Sequence, residues 1–126
     1  MVKVMVFGVF DGLHDGHRAF LQYAQKEGNY LIAVVTQDHI VEHLKGHLPQ
    51  KNLAERFEHL KKVDGVDEVV IGDSELSTWE IIKKYNPDII ALGYDQRALH
   101  EDLQKAMAGW EHHPTIKVMP AYEPNP

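Results

Sequence analysis

His14 and His17 lie three residues apart in the turn Asp11-Gly-Leu-His-Asp-Gly-His17, which follows the apolar run Val2–Phe7 and Gly8 and opens into an amphipathic stretch. A strand that enters a helix through such a turn brings the unpaired N–H groups and partial positive charge of the helix start to an anion. Two imidazoles add donors that an ordinary connection does not need. Gly16, between them, removes a side chain and lets a ligand phosphate approach the backbone. The chemistry this suits is nucleotidyl transfer, in which charge builds on the α-phosphoryl oxygens as pyrophosphate is displaced. N–H donors aimed there stabilise the transition state without a covalent intermediate. The turn is neither a dinucleotide fingerprint nor a P-loop, because the glycines of the first and the Gly-Lys-Ser/Thr ending of the second are absent.

The chain also holds His39, His43 and His47, spaced by four. On a continuous helix the first two would share a face, as zinc ligands do. Gly46 interrupts the helix before His47 and there is no cysteine in the chain, so no metal site is expected here. His112-His113 beside Pro114 reads as loop, and Trp79 and Trp110 as packing residues.

The elements that must position the turn alternate along the chain. After the opening strand, 17–27 reads as a helix with Phe20, Leu21 and Ala24 on one side and Gly28 as its stop. Tyr30–Thr36 is the near-continuous apolar run of a central parallel strand. Asp38 caps a helix to Lys45, with Ile40, Val41 and Leu44 buried and Gly46 ending it, and Gly46–Lys51 is a loop. Asn52 and Glu55 form a capping box for a helix to Lys62, with Leu53, Phe57 and Leu60 as its apolar stripe. Glu68–Ile71 is a third strand. Ser77-Thr-Trp-Glu80 reads as a second capping box, opening a helix that Asn86-Pro87 ends after Tyr85. Asp88–Leu92 is the fourth strand, 98–108 a helix, and Thr115–Met119 the fifth strand. This alternation predicts an α/β fold: a doubly wound, Rossmann-like parallel sheet of about five strands with helices on both faces. Strand order is not readable from the pattern, but ligands in such sheets bind at the carboxyl ends of the strands.

At 126 residues the chain has the size of one domain. Its formal charge of −6 argues against nucleic acid as a partner. No apolar run reaches the roughly 18 residues of a membrane span. With no cysteine and no signal-peptide pattern after Met1, the expected location is the cytoplasm.

The stretch Gly8-Val-Phe-Asp-Gly-Leu-His-Asp-Gly-His17 resembles the G-[TV]-F-D-x-x-H-x-G-H signature of the cytidylyltransferase-like nucleotidyltransferases. Lys45, Glu55-Arg56 and Gly93-Tyr-Asp95 fall where small members carry a triphosphate lysine, an E-R pair and a Gly-x-Asp nucleoside element. The resemblance implies transfer of AMP or CMP from ATP or CTP to a small phosphorylated acceptor of the FMN or glycerol 3-phosphate type, with release of pyrophosphate. It implies that His14, His17, Lys45 and Arg56 act on the phosphates. Gly8, Val9, Phe10, Asp11 and Gly16 would shape the pocket, and Gly93, Tyr94 and Asp95 would face the nucleoside. The loop Ala91–Gln96 is more similar to the archaeal FAD synthase group than to the glycerol phosphate enzymes. Magnesium is implied as companion of the triphosphate, and a homodimer with the 52–62 helix as a candidate face. Residues 1–119 then form the nucleotidyltransferase domain and 120–126 a proline-rich tail. The resemblance also implies a serine/threonine-rich element opening a final helix, whereas the sequence stops at Asn125-Pro126. That departure keeps open an alternative, a non-catalytic nucleotide-binding or interaction module.

Overall fold

Parallel strands need crossovers long enough to carry a helix, and the computed structural model, which describes residues 1–122, supplies one for each. In chain order the elements are β1 (Lys3–Gly8), α1 (Asp15–Gln25), β2 (Tyr30–Val35), α2 (Asp38–Lys45), α3 (Leu53–Lys61), β3 (Glu68–Ile71), α4 (Glu80–Tyr85), β4 (Ile89–Leu92), α5 (Arg97–Met107) and β5 (Thr115–Val118). The strands form one sheet in the order β3-β2-β1-β4-β5, and every neighbouring pair is parallel. The doubly wound α/β expectation holds. Among the described residues no helix is long and apolar enough to cross a membrane.

The alternation of side chains along β1 and β2 feeds two cores. Val4, Val6, Leu31, Ala33 and Val35 share one with Leu21 and Ala24 of α1 and Leu60 of α3. Met5, Phe7, Ile32 and Val34 share the other with Ile81 and Ile82 of α4 and Leu103 and Met107 of α5. Covering both faces of the central strands is what permits their uninterrupted apolar sequences. β1 pairs with β2 from Lys3↔Tyr30 to Gly8↔Val35, but with β4 only at Val4↔Ile89 and Met5↔Ile90. The chain reverses its winding direction between β1 and β4, so their carboxyl ends border the crevice where such folds bind ligands.

Several local expectations are corrected. α1 begins at Asp15 rather than His17, with His14 as its N-cap, and ends at Gln25. Lys26 caps it in the ordinary right-handed conformation. Gly28 meets a different need: a Cβ there would stand 2.6 Å from the Val2 carbonyl oxygen. Gln37, not Asp38, is the N-cap of α2, because the Asp38 carboxylate is drawn to α3. Gly46 does end α2, in the left-handed region with φ 79°. Leu44, expected in the core, is 61% exposed. Ser77 does not cap α4: its hydroxyl donates to Asp102, and Asp73 accepts from the Ile81 N–H instead. Asn52 and Glu55 do form their capping box. Residues 120–122 lie outside any helix or strand, and 123–126 lie outside the described residues.

Candidate active site

The start of α1 is capped by two imidazoles. His14 Nδ1 accepts from the Gly16 and His17 N–H groups at 3.0 and 3.3 Å, and His17 Nδ1 accepts from the His14 N–H at 3.4 Å. This is a capping box in which histidines replace the usual hydroxyl and carboxylate. With Nδ1 of each ring used as an acceptor, the ring proton belongs to Nε2. Each Nε2–H therefore lies on the side of its ring away from the helix backbone. The rings stack with centroids 3.7 Å apart and planes 20° from parallel, and the Phe10 ring meets His17 edge-on at 5.7 Å. A Cβ at Gly16 would come within 2.9 Å of the His14 ring, so the bare backbone also makes room for this histidine. Gly8 likewise leaves space for Phe10, whose ring would lie 2.8 Å from a Cβ there and whose own φ is 53°.

Burial holds the His17 imidazole below its ordinary value of 6.5, and His14 and Lys45 push the same way against Asp95 and Asp11. Residues distant in sequence thus converge electrostatically on one ring. Burial alone would raise the Asp11 carboxyl, yet hydrogen bonds from the Gln50 and Lys51 N–H groups and the charges of Arg56 and Lys45 bring it below the usual range. Those bonds, 2.8 and 2.9 Å long, tie the loop after Lys45 to the turn.

Arg56 stands elsewhere than the resemblance implies. Its side chain is 0% exposed, behind the turn rather than at its mouth. Nη1 donates to the Val9 carbonyl at 2.8 Å, Nε to the Lys51 carbonyl at 3.0 Å, and Nη2 pairs with Asp38 at 2.6 Å. The guanidinium fork therefore fixes the backbone of the turn and of the loop, a geometry suited to its planar spread of donors. Val9 takes part through its carbonyl.

On the β4 side, Tyr94 is 64% exposed and Asp95 is exposed. Asp95 Oδ1 lies 2.8 Å from the place of a Cβ on Gly93. Sequence reasoning passed over Gln96, whose side chain accepts from the Gly93 N–H and donates to the Phe7 carbonyl, both at 2.8 Å. The only signal for it was its place directly after the Gly-x-Asp element. His39 Nε2 lies 2.8 Å from the Ser74 carbonyl oxygen, holding the 72–79 segment to α2.

Residues 5–115 match the family described as cytidylyltransferase-like, and the match includes β1 from Met5 onward, the histidine turn, Lys45, Arg56 and Gly93–Asp95. The chain belongs to the cytidylyltransferase-like family. It is 47% identical over 108 residues to a FAD synthase of Thermococcus sibiricus, covering 82% of this chain and 73% of that one. A FAD synthase of Pyrococcus abyssi is 44% identical over 107 residues, with 82% and 72% covered. Among solved structures, the lipopolysaccharide core biosynthesis protein of Thermoplasma volcanium superposes with a TM-score of 0.90 at 30% identity, over 98% of this chain and 99% of that one. The pantoate-beta-alanine ligase of Francisella tularensis shares the fold, with a TM-score of 0.69 at 12% identity over 98% of this chain and 60% of that one. As a member of the cytidylyltransferase-like family with these relatives, the chain is a nucleotidyltransferase.

Proposed function

We propose that this chain transfers AMP from ATP to the phosphate of FMN, forming FAD and releasing pyrophosphate, as a cytoplasmic homodimer. The observation that carries the chemistry is the stacked His14 and His17 pair, each with its proton on Nε2, at the start of α1. ATP and FMN are supported by the FAD synthases that resemble the chain.

In this reading an FMN phosphate oxygen attacks the α-phosphorus in line. The new P–O bond forms as the bond to the bridging oxygen breaks and pyrophosphate leaves. His14 and His17 hold the charge growing on the α-phosphoryl oxygens, and Lys45 meets the outer phosphates. Arg56 keeps Val9 and Lys51 in place, and Asp11 keeps the loop of Gln50 and Lys51 closed on the turn. Gly93, Tyr94 and Asp95 face the nucleoside. Magnesium, the implied companion of the triphosphate, would be held largely through phosphate oxygens and water and would neutralise phosphate charge.

Incubating the protein with ATP, magnesium and FMN should give FAD and pyrophosphate in equal amounts by chromatography and coupled assay. If CTP or glycerol 3-phosphate turned over while ATP with FMN did not, the substrates would be wrong. ATP binding with no turnover on any acceptor would leave the alternative, a nucleotide-binding module.

A further inference from the structure

We propose that Gln96 is the positioning residue that couples the two halves of the nucleotide site. β1 and β4 are in register only at Val4↔Ile89 and Met5↔Ile90, whereas β4 pairs with β5 as far as Leu92↔Val118 and β1 with β2 as far as Gly8↔Val35. Past Met5, the two strands that border the crevice are therefore no longer joined to each other by the sheet. The side chain of Gln96 crosses that opening. Its Nε2–H donates to the Phe7 carbonyl and its Oε1 accepts from the Gly93 N–H, each at 2.8 Å.

The two backbone groups it joins belong to different parts of the site. Phe7 directly precedes Gly8 and the histidine turn, and Gly93 opens the segment that carries Asp95. Asp95 folds back against Gly93 and acts on His17 through its charge. A primary amide offers a donor and an acceptor on one planar group, which both backbone partners require. A carboxylate has no donor for Phe7, and a shorter or apolar side chain leaves both partners to water. Gln96 thus acts on ATP through Phe7 and Gly93, setting the distance between phosphate turn and nucleoside segment.

This inference rests on the crevice being the nucleotide site, and its test separates the two. ATP binding by calorimetry and steady-state kinetics are compared in the native chain, Gln96→Ala and Gln96→Glu, with folding checked by circular dichroism. Gln96→Ala should raise KM for ATP about tenfold, the loss expected of bonds left to solvent, while kcat changes by less than about twofold. Gln96→Glu should be impaired at about pH 8, where its carboxylate opposes the Phe7 carbonyl. It should recover towards native KM only at about pH 4, below the ordinary glutamate value of about 4.3, where a protonated carboxyl restores the donor. His14, His17 and Asp95 face the same crevice and are common to both proteins, so the ratio of variant to native KM isolates residue 96. An unchanged KM in Gln96→Ala, or a pH-independent ratio in Gln96→Glu, overturns the role of Gln96. A native chain that binds no ATP overturns the nucleotide reading beneath it.

Discussion

His17 is held neutral because burial, His14 and Lys45 all disfavour its imidazolium. Its folded-state pKa lies below that of the unfolded chain, so between the two values unfolding takes up a proton. Its contribution to stability is whole above about pH 6.5 and is lost as pH falls through the folded-state value. The unfolding midpoint should drop on acidification, and His17→Gln should flatten that slope. The same ring should take up protons when ATP binds at about pH 6, because triphosphate charge favours the imidazolium. Calorimetry in buffers of different ionisation enthalpy reads this uptake, which His17→Gln should abolish. His17→Ala should lower kcat by about a hundredfold or more, the scale for a lost oxyanion donor. Native turnover in that variant would sink the mechanism. The pair was picked out in the sequence by its three-residue spacing in a turn after a strand, but the cap it forms was not: the helix was expected from His17, and it begins at Asp15 with His14 as its N-cap.

Elements were legible where their causes were local, and misplaced where distant groups intervened. Asn52 and Glu55 make their capping box, and no other hydrogen bond among the described residues engages either side chain. The similar pattern at Ser77 fails because Trp79 packs edge-on to Phe7 with centroids 5.8 Å apart, and takes φ 53° at the start of α4. Arg56 is the clearest case. Its partners Asp38 and Val9 lie 18 and 47 residues away, so its burial depends on α3 packing over β2 and β3, which carries the guanidinium to the turn and to Asp38. Arg56→Met should lower stability by about 2 kcal/mol, the scale for leaving the Val9 and Lys51 carbonyls without their donor, the Asp38 side chain being 36% exposed and open to water. Urea unfolding checks this. A midpoint equal to that of the native chain would show that the guanidinium holds nothing.

At the scale of the molecule, the alternation of strand and helix predicted the layers, and the parallel sheet follows from crossovers that each contain a helix. The strand order was not legible, since apolar runs of similar length carry no mark of which neighbour they take. One core needs Ile90, Leu92, Leu103 and Met107 to cover the face of β1 and β2 opposite α1. A fragment of residues 1–87 should therefore show no cooperative thermal transition, as monitored by far-ultraviolet circular dichroism, although it contains the whole histidine turn. A sharp transition in that fragment would mean that the first three strands fold alone.

The central place of β1 also has a consequence for the time course of folding. β1 is made before every other strand described here, yet one of its two neighbours is β4, and the Lys3 N–H bonds an Asp88 carboxylate 85 residues later. Closing so long a loop must precede the reward of the contact, which slows folding of parallel sheets. During synthesis the histidine turn therefore leaves the ribosome early and waits, attached to a strand with one apolar face uncovered, until the second half of the chain arrives. The turn is among the first segments made and is tied to Gln50, Lys51 and Arg56 within the first half of the chain, but the bond from Gln96 to the Phe7 carbonyl beside it comes last.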